Sequence, residues 1–429
     1  TPGAAVDTLL VDAAGKTTGR IRLGIIQTLT ARAPVSAVAT LAALLGDQDP
    51  ATAKASATAL GQIGNAAALA ALRSAPATVP GLFEAKLTLA RTLPTAECVA
   101  LLTELQGDTR AAPHQRASAL RGLLDLEPSS AVPRIIAVLA GTDWTPKQVV
   151  LEAIFSSRAS GLTAALAAQL PKWDVPTQAA VITALARRPD ATITAAIVAA
   201  TRHTAATVRT AAINALGDLP GDTSLVTLLA TLGSSDNFDD AKLARASLAR
   251  LHGPGVSAAV LAGAEKGPAQ KRALFIEQIA SRNLTEGLPF LHQSRQDPDA
   301  TIRTAAVGSL GELAPVSDQG LLIEWAAGAT DSTEQTRALR SLVSVTLRNP
   351  DTAKRALPIY VALEKAAPAT VVGLLPVLGR LGGTESAECA ARLALSANAT
   401  VADAAASALA RWPDRSAQPS LVMVAAKAT

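Results

Sequence analysis

Small and aliphatic residues recur along the chain at helical spacing, and short polar stretches separate the helices they predict. One clear segment follows the polar turn at residues 297–299. Its small and apolar residues recur at the i, i+3, i+4, i+7 and i+8 positions of a helix: Ile302, Ala305, Ala306, Ser309 and Leu310. This spacing places them on one face of an amphipathic helix. The segment 203–219 repeats the pattern, so the same structural element recurs in the chain.

A triplet of a small residue, Leu and Gly marks four of these helices. The triplets are centred on Leu60, Leu216, Leu310 and Leu378. The gaps between them are 156, 94 and 68 residues, close to five, three and two multiples of about 32 residues. Intermediate positions at this period are Leu29, Leu93, Leu123, Phe155, Leu185, Leu251, Ile279, Leu342 and Leu409. The chain therefore divides into about 13 units that form one array over residues 1–429.

Prolines support the same division. They precede the marker positions by 9 to 12 residues at Pro50, Pro113, Pro146, Pro176, Pro268, Pro298 and Pro368. Proline is tolerated at the start of a helix, where its missing N–H group would have no partner. Each unit is therefore predicted to be a helix A, a polar turn and a helix B. A single pair cannot bury its own apolar stripe, so the units should stack into an all-α, right-handed α-solenoid superhelix.

Two segments carry a resemblance to a known repeat. DPDATIRTAAVGSLG at 297–311 resembles the short bacterial form of the HEAT repeat, and TVRTAAINALG at 207–217 is similar to it. The resemblance covers nearly the whole chain and implies a helix-turn-helix (HEAT-like) solenoid. It implies little about activity, because such arrays serve many roles.

A narrower resemblance concerns PHQRASALRG at 113–122 and ALARWPD at 408–414. These segments are similar to exported HEAT-repeat proteins of planctomycete and verrucomicrobial type. In that group the array often accompanies a 3-keto-disaccharide hydrolase-like or haem-bearing module, which these residues do not contain. The resemblance implies a periplasmic or secreted scaffold, and a removed secretory signal would fit the absence of an initial Met.

The composition narrows the possible functions. The 429 residues are 49% hydrophobic but only 2% aromatic, which favours closely stacked helices over a few thick cores. No uninterrupted apolar stretch reaches about 18 residues, so a membrane span is not expected. The net charge is only +4, without a block of Lys and Arg, so nucleic acid is an improbable partner.

The sequence offers no motif for catalysis, a cofactor or a metal. Cys98 and Cys389 are predicted to be buried thiols in distant units, too far apart for a disulfide. The four histidines lie in different units and lack the spacing of metal ligands. No phosphate-binding loop, nucleophile elbow or haem-attachment motif occurs. We therefore predict no enzyme activity, no catalytic or metal-binding residue and no cofactor.

Four arginines share one register. Arg116, Arg209, Arg272 and Arg303 each lie seven residues before the marker of their unit. Stacking would place them at equivalent points on successive B helices. One interpretation is that each bonds a turn carboxylate or helix-end carbonyl of an adjacent unit. The other is that they form a basic stripe that holds an acidic partner.

Two tryptophans occupy the same turn of consecutive units. Trp144 and Trp173 both precede a B helix and should lie at one edge of the array. Packed against the turns, they would cover backbone groups; exposed, they would form a binding hot spot. Trp325 and Trp412 have other registers and are expected in the core.

The sequence therefore predicts a non-catalytic scaffold that binds a protein or positions a linked module through an extended surface. A structural subunit or spacer beside an exported enzyme is one alternative. A HEAT-like DNA glycosylase or bilin lyase is a weaker one. Residues 4–14 and 421–426 form apolar terminal helices without an obvious polar face. We therefore expect a longer chain, or end-to-end contact between copies, to cover them.

Overall fold

The chain folds into α-helices joined by short turns. A computed structural model describes residues 3–126, 128–157, 159–188, 193–352 and 354–427. The one β-pairing within these ranges is an isolated bridge between Pro220 and His252. The helices form two compact units, residues 1–196 and 197–429.

The described residues of the first unit form twelve helices and the start of a thirteenth. They are α1 (Ala4–Lys16), α2 (Gly19–Arg32), α3 (Val38–Leu44), α4 (Pro50–Ile63), α5 (Ala66–Ser74), α6 (Leu82–Ala90), α7 (Thr95–Gly107), α8 (Pro113–Leu126), α9 (Pro128–Ala140), α10 (Trp144–Ser156), α11 (Leu162–Gln169), α12 (Val175–Ala186) and α13 (Thr194–Ala200). The boundary between the units falls inside α13.

The second unit continues the alternation. Its helices are α14 (Ala206–Leu216), α15 (Thr223–Gly233), α16 (Phe238–Arg250), α17 (Val256–Glu265), α18 (Ala269–Ser281), α19 (Leu288–Gln293), α20 (Ala300–Leu313), α21 (Gln319–Gly328), α22 (Ser332–Leu347), α23 (Leu357–Lys365), α24 (Pro368–Leu374), α25 (Pro376–Leu381), α26 (Thr384–Ala394), α27 (Ala399–Ala410) and α28 (Gln418–Lys427). Short 3-10 turns lie at Val35–Ala37, Leu170–Lys172, Thr285–Gly287, Ser294–Gln296, Val316–Asp318 and Arg415–Ala417.

The helices pack as pairs, and the second helix of each pair packs on its counterparts. In the first unit α3 pairs with α4 and α7 with α8, while α2, α4 and α6 stack in order. In the second unit α17 pairs with α18 and α21 with α22, while α14, α16, α18, α20 and α22 stack in order. The prediction of an all-α array of stacked helix pairs is confirmed.

Polar caps fix where the B helices begin. Helix α4 starts at Pro50, and the carboxylate of Asp49 accepts hydrogen bonds from the backbone N–H groups of Ala51 and Thr52. Asp299 caps α20 in the same way. Such caps satisfy N–H groups that have no partner inside the helix. A polar turn with a proline therefore marks the start of α4 and α20, as the sequence predicts, whereas α14 begins without a side-chain cap or a proline.

The glycine of the recurring triplet lies where neighbouring B helices approach most closely. A Cβ atom added at Gly61 would come within 2.7 Å of the Ala85 carbonyl oxygen on α6. One added at Gly311 would come within 2.9 Å of the Ser341 Cα on α22. Helix backbones this close leave no room for a side chain, which explains the triplet. Gly379 is the exception, since a Cβ there would meet nothing within 4 Å.

The structure corrects three positions of the predicted register. Leu93 and Leu251 lie beyond the C-terminal ends of α6 and α16, and Phe155 is off by one residue. Phe155 was predicted as the marker of its unit, but it is 53% exposed and Ile154 is fully buried in its place. Ile154 lies 31 residues from both Leu123 and Leu185, which are fully buried. The prediction was wrong by one residue because an average period of about 32 was applied where the local period is 31.

Candidate functional site

The predicted arginines belong to a set of side chains at the fourth residue of B helices, with three members in each unit. We call this set the N-terminal ladder; it comprises Arg116, Lys147, Gln178, Arg209, Arg272 and Arg303. Arg209 Nε donates to Asp240 Oδ2 at 2.7 Å, and Arg303 Nε donates to Glu334 Oε2 at 2.9 Å. Asp240 and Glu334 are both the third residue of the next B helix. Each arginine therefore ties its helix to its neighbour.

Where the next B helix offers no polar third residue, the arginine bonds elsewhere. The third residue is Pro146 in α10 and Ile302 in α20. Arg116 Nε accordingly donates to the Gln106 carbonyl at 3.0 Å. Arg272 donates from Nε to the Ala264 carbonyl at 3.0 Å, and from Nη2 to Asp297 Oδ2 at 2.8 Å. The Asp297 contact reaches the turn of the next unit, as the stacking interpretation describes, whereas the Gln106 and Ala264 carbonyls belong to the A helix of the arginine's own unit.

Sequence reasoning missed two members of this ladder. Lys147 and Gln178 continue the 31-residue spacing from Arg116, but they are not arginines and were not considered. Lys147 is only 1% exposed, and its Nζ donates to the Thr177 hydroxyl at 2.6 Å. Gln178 Nε2 donates to the Trp173 carbonyl at 2.8 Å. A search for any polar residue at a 31-residue period would have found both.

The two turn tryptophans have different environments. Trp173 is 7% exposed and packs into its turn, while Trp144 is 40% exposed at the first residue of α10. The ammonium of Lys147 lies 5.0 Å from the centroid of the Trp144 ring, within the range of a cation–π contact. Trp173 therefore has a packing role, and Trp144 keeps an accessible ring face or edge.

A second set of arginines holds the opposite ends of the B helices. We call it the C-terminal ladder; it comprises Arg188, Arg250, Arg282 and Arg348. Each donates to the last carbonyls of the preceding B helix. Arg348, for example, reaches the carbonyls of Gly311 and Glu312 at 2.8 Å. The last carbonyls of a helix have no N–H partner within that helix, and the arginines supply hydrogen-bond donors to them.

One open groove contains cations that no ladder uses. The α18–α20–α22 groove runs across three successive B helices and has a volume of about 790 Å³. Its floor consists of the small residues Ala273, Ala300 and Ala305. Arg337 and Arg340 of α22 project at its edge and are both exposed. Among the described residues, neither guanidinium has a hydrogen bond or an ion pair, unlike the ladder arginines.

A second cavity, of about 570 Å³, lies in the first unit and is lined by Cys98 and by residues of α6, α7 and α8. Burial raises the pKa of the Cys98 thiol, and burial likewise raises that of Cys389. Both residues are buried free thiols, as predicted. A raised pKa disfavours the thiolate, the form that acts as a nucleophile.

Groups needed for metal binding are not assembled in the described part of the chain. No cluster of three or more His, Cys, Asp or Glu side chains is placed there to hold an ion. His292 instead pairs with Asp318, with 2.7 Å between Nε2 and Oδ2. No helix within the described ranges has both the length and the apolar character needed to cross a membrane.

Comparison with known families identifies the repeat. Residues 8–79 and 163–249 match the family model of HEAT repeats. The fold is a HEAT-repeat α-solenoid. No curated protein sequence matches the chain.

Several solved structures are similar to this HEAT-repeat solenoid at low identity. A mutant of Kap121p shares 15% identity with a TM-score of 0.47, over 99% of this chain and 53% of that one. Kap121p bound to Nup53p shares 14% identity with a TM-score of 0.47, over 100% of this chain and 55% of that one. Kap121p bound to RanGTP shares 14% identity with a TM-score of 0.46, over 99% of this chain and 55% of that one. The chain thus spans about half the length of these proteins.

Proposed function

We propose that this chain is a non-catalytic scaffold that binds a protein partner through the exposed surface of its B helices. The observation that carries the proposal is the α18–α20–α22 groove with its two unpaired arginines. In repeat arrays, extended surfaces built from successive units are common binding faces. A partner that covered this groove could form ion pairs with the two guanidinium groups that have no partner among the described residues.

The geometry of the ladders refines the role of the predicted binding residues. The side chains of Arg209, Arg272 and Arg303 are each about 20% exposed and already bonded within the array. They therefore support the spacer aspect of the scaffold, which needs rigid contacts between units. Trp144 remains a proposed partner contact because of its exposed ring. An extracytoplasmic location beside an enzymatic module, implied by the narrower resemblance, also stays a prediction.

Site-specific photo-crosslinking tests the scaffold proposal. A photoreactive residue replaces Ser332 at the edge of the groove, and in a matched variant it replaces Thr227, which is exposed on the A helix α15. The variants are expressed in the native source, where a partner would be present. We expect one defined protein adduct from position 332 and none of that mass from position 227. Equal adducts from both positions, or none from either, would refute binding through the groove.

A further inference from the structure

The α18–α20–α22 groove has the chemistry of a site for carboxylates. Arg337 and Arg340 lie three residues apart, so they share one face of α22 with their Cβ atoms about 5–6 Å apart. Guanidinium groups form paired, bidentate hydrogen bonds with carboxylates. Both groups are exposed, so neither loses an internal partner when a ligand arrives.

A glycine on the neighbouring helix leaves room for one of these guanidinium groups. Gly308 of α20 faces Arg337, and a Cβ added there would lie 2.4 Å from Arg337 Nε and 2.9 Å from Nη2. The guanidinium therefore rests directly against the α20 backbone, in space that only glycine leaves free. Lying across the neighbouring helix in this way, it is oriented before a ligand binds. Such preorganisation lowers the entropy cost of binding.

The acidic groups of the groove are already engaged. The Asp331 carboxylate caps α22 by accepting from the backbone N–H groups of Thr333 and Glu334. Glu277 pairs with Arg245, with 3.4 Å between the charged atoms. Both carboxylates of the groove therefore already accept contacts, while the guanidinium groups of Arg337 and Arg340 have none among the described residues.

Two hydroxyl groups are also available to a ligand. Exposed threonines on other helices, such as Thr103 and Thr227, donate to the carbonyl four residues earlier. Thr304 and Thr336 line the groove and make no such bond among the described residues. Each can therefore donate to a peptide carbonyl or accept from a peptide N–H group.

The dimensions fit an extended peptide. Three neighbouring helices at about 10 Å spacing give a groove about 20 Å long, which about six extended residues would span. In an extended chain, alternate side chains lie on the same face about 6.6 Å apart. The Arg337 guanidinium lies against α20 and Arg340 projects from α22, so a peptide that crosses both helices can present one carboxylate to each arginine.

We propose that this groove binds an extended acidic segment of a protein partner in which Asp or Glu occupies alternate positions. Arg337 and Arg340 each hold one carboxylate, and Thr304 and Thr336 bond the peptide backbone. The inference rests on the proposed scaffold function and adds the chemistry of the partner. Nucleic acid fits less well, since the groove has no aromatic lining and contains Glu277 and Asp331.

Fluorescence anisotropy with the purified full chain tests this inference. The probe is a labelled peptide of eight residues with Glu at three alternate positions. One control peptide carries Gln at these positions, and another carries the three Glu residues side by side. We expect the alternate-Glu peptide to bind at least about tenfold more tightly than the Gln peptide, and less tightly as salt increases. Equal binding of the two would overturn the inference.

Three variants and one control assign the binding to the groove. Arg340→Ala and Arg337→Ala should each weaken binding about 5- to 10-fold, as the loss of a charge-assisted contact predicts. Gly308→Ala keeps every charge but displaces the Arg337 guanidinium, so it should weaken binding about 3- to 10-fold. Arg202→Ala, which removes an exposed charge of the same unit outside the groove, should leave binding unchanged.

Other results would contradict the inference in distinct ways. If Arg202→Ala weakened binding as much as Arg340→Ala, the peptide would be held by overall charge and not by the groove. If a single-stranded oligonucleotide displaced the peptide and bound more tightly, the groove would be an anion site for nucleic acid. A crosslinked partner at position 332 that lacks an acidic segment would refute this inference while leaving the scaffold proposal intact.

Discussion

The closest helix contacts make a sharp prediction for Gly61. Replacing Gly61 by Ala would place a Cβ atom 2.7 Å from the Ala85 carbonyl oxygen and 3.0 Å from its Cα. Ordinary contact begins at 3.4 Å, so the backbones of α4 and α6 must separate by about 0.7 Å. Because the obstructing atoms are backbone atoms of a helix, no side-chain rotation can relieve the contact.

Two terms of opposite sign set the size of the effect. Ala has a higher helix propensity than Gly by about 1 kcal/mol, which stabilises the variant. Overpacking at a tight contact typically costs about 1–3 kcal/mol. Gly24→Ala isolates the first term, since Gly24 lies inside α2 in the same unit and its Cβ would meet nothing within 4 Å. We therefore expect Gly61→Ala to be about 1–3 kcal/mol less stable than Gly24→Ala.

Urea unfolding followed by far-UV circular dichroism measures the difference. Hydrogen exchange with mass spectrometry then shows whether the loss is centred on α4 and α6, since repeat arrays can unfold in parts. In the second unit, Gly311→Ala and Gly379→Ala form an equivalent pair. A comparable loss is expected there, because the Ser341 hydroxyl can rotate away but the Ser341 Cβ and Cα would still lie 2.8 and 2.9 Å from the added Cβ atom. Gly61→Ala as stable as Gly24→Ala would refute the close-packing explanation of the triplet.

Three further predictions follow from single side chains. Arg303→Met should destabilise the fold by about 3–5 kcal/mol in urea unfolding, because Glu334, which is 2% exposed, would keep a buried charge without its ionic partner. Adding Glu334→Gln should recover part of this loss of stability. An Arg303→Met variant as stable as the original protein would favour the binding interpretation. Trp173→Ala should cost about 3–5 kcal/mol, as for other buried aromatics, whereas Trp144→Ala should cost clearly less in the same assay. Hydrogen bonds from the backbone N–H and side chain of Thr301 lower the pKa of Asp299, so the stability that this carboxylate contributes is present above about pH 4 and is lost as the pH falls through the lowered pKa. Asp299→Asn keeps the cap without the titrating group, so its Tm should fall less between pH 6 and pH 2.5 in a series of thermal melts. An identical dependence of Tm on pH in the two proteins would contradict this role of Asp299.

The sequence predicts the architecture because stacking imposes a period on it. Polar turns, prolines and the small-Leu-Gly triplet each recur for a local physical reason: a cap, a missing N–H group and a close helix approach. The error at Phe155 arises where the local period is 31 and the average is about 32. One residue is enough to rotate a side chain by about 100° on a helix, from the core to the surface.

The groove could not be predicted in the same way. Whether an arginine in it is unpaired depends on whether the nearby carboxylates already bind other residues. Read along the sequence, Glu334 and Arg337 are three residues apart and would be expected to pair on one face of α22. In the structure, Glu334 is buried and accepts from Arg303 of the preceding B helix, α20, and from Trp325 Nε1 at 2.9 Å. Arg337 is thus left unpaired by a contact that starts more than 30 residues away.

The two kinds of arginine lead to different conclusions about function. A cation that recurs at the same place in several units is explained by contacts within the array, either to a carboxylate of the next unit or to a nearby backbone carbonyl. Arg303 is of this kind. Arg337 has no such explanation, because the equivalent sixth residue is Ala305 in α20 and Leu274 in α18. Stacking does not require Arg337, and together with Arg340 it forms an exposed pair of like charges, which is why we assign it to the proposed acidic partner and not to the array.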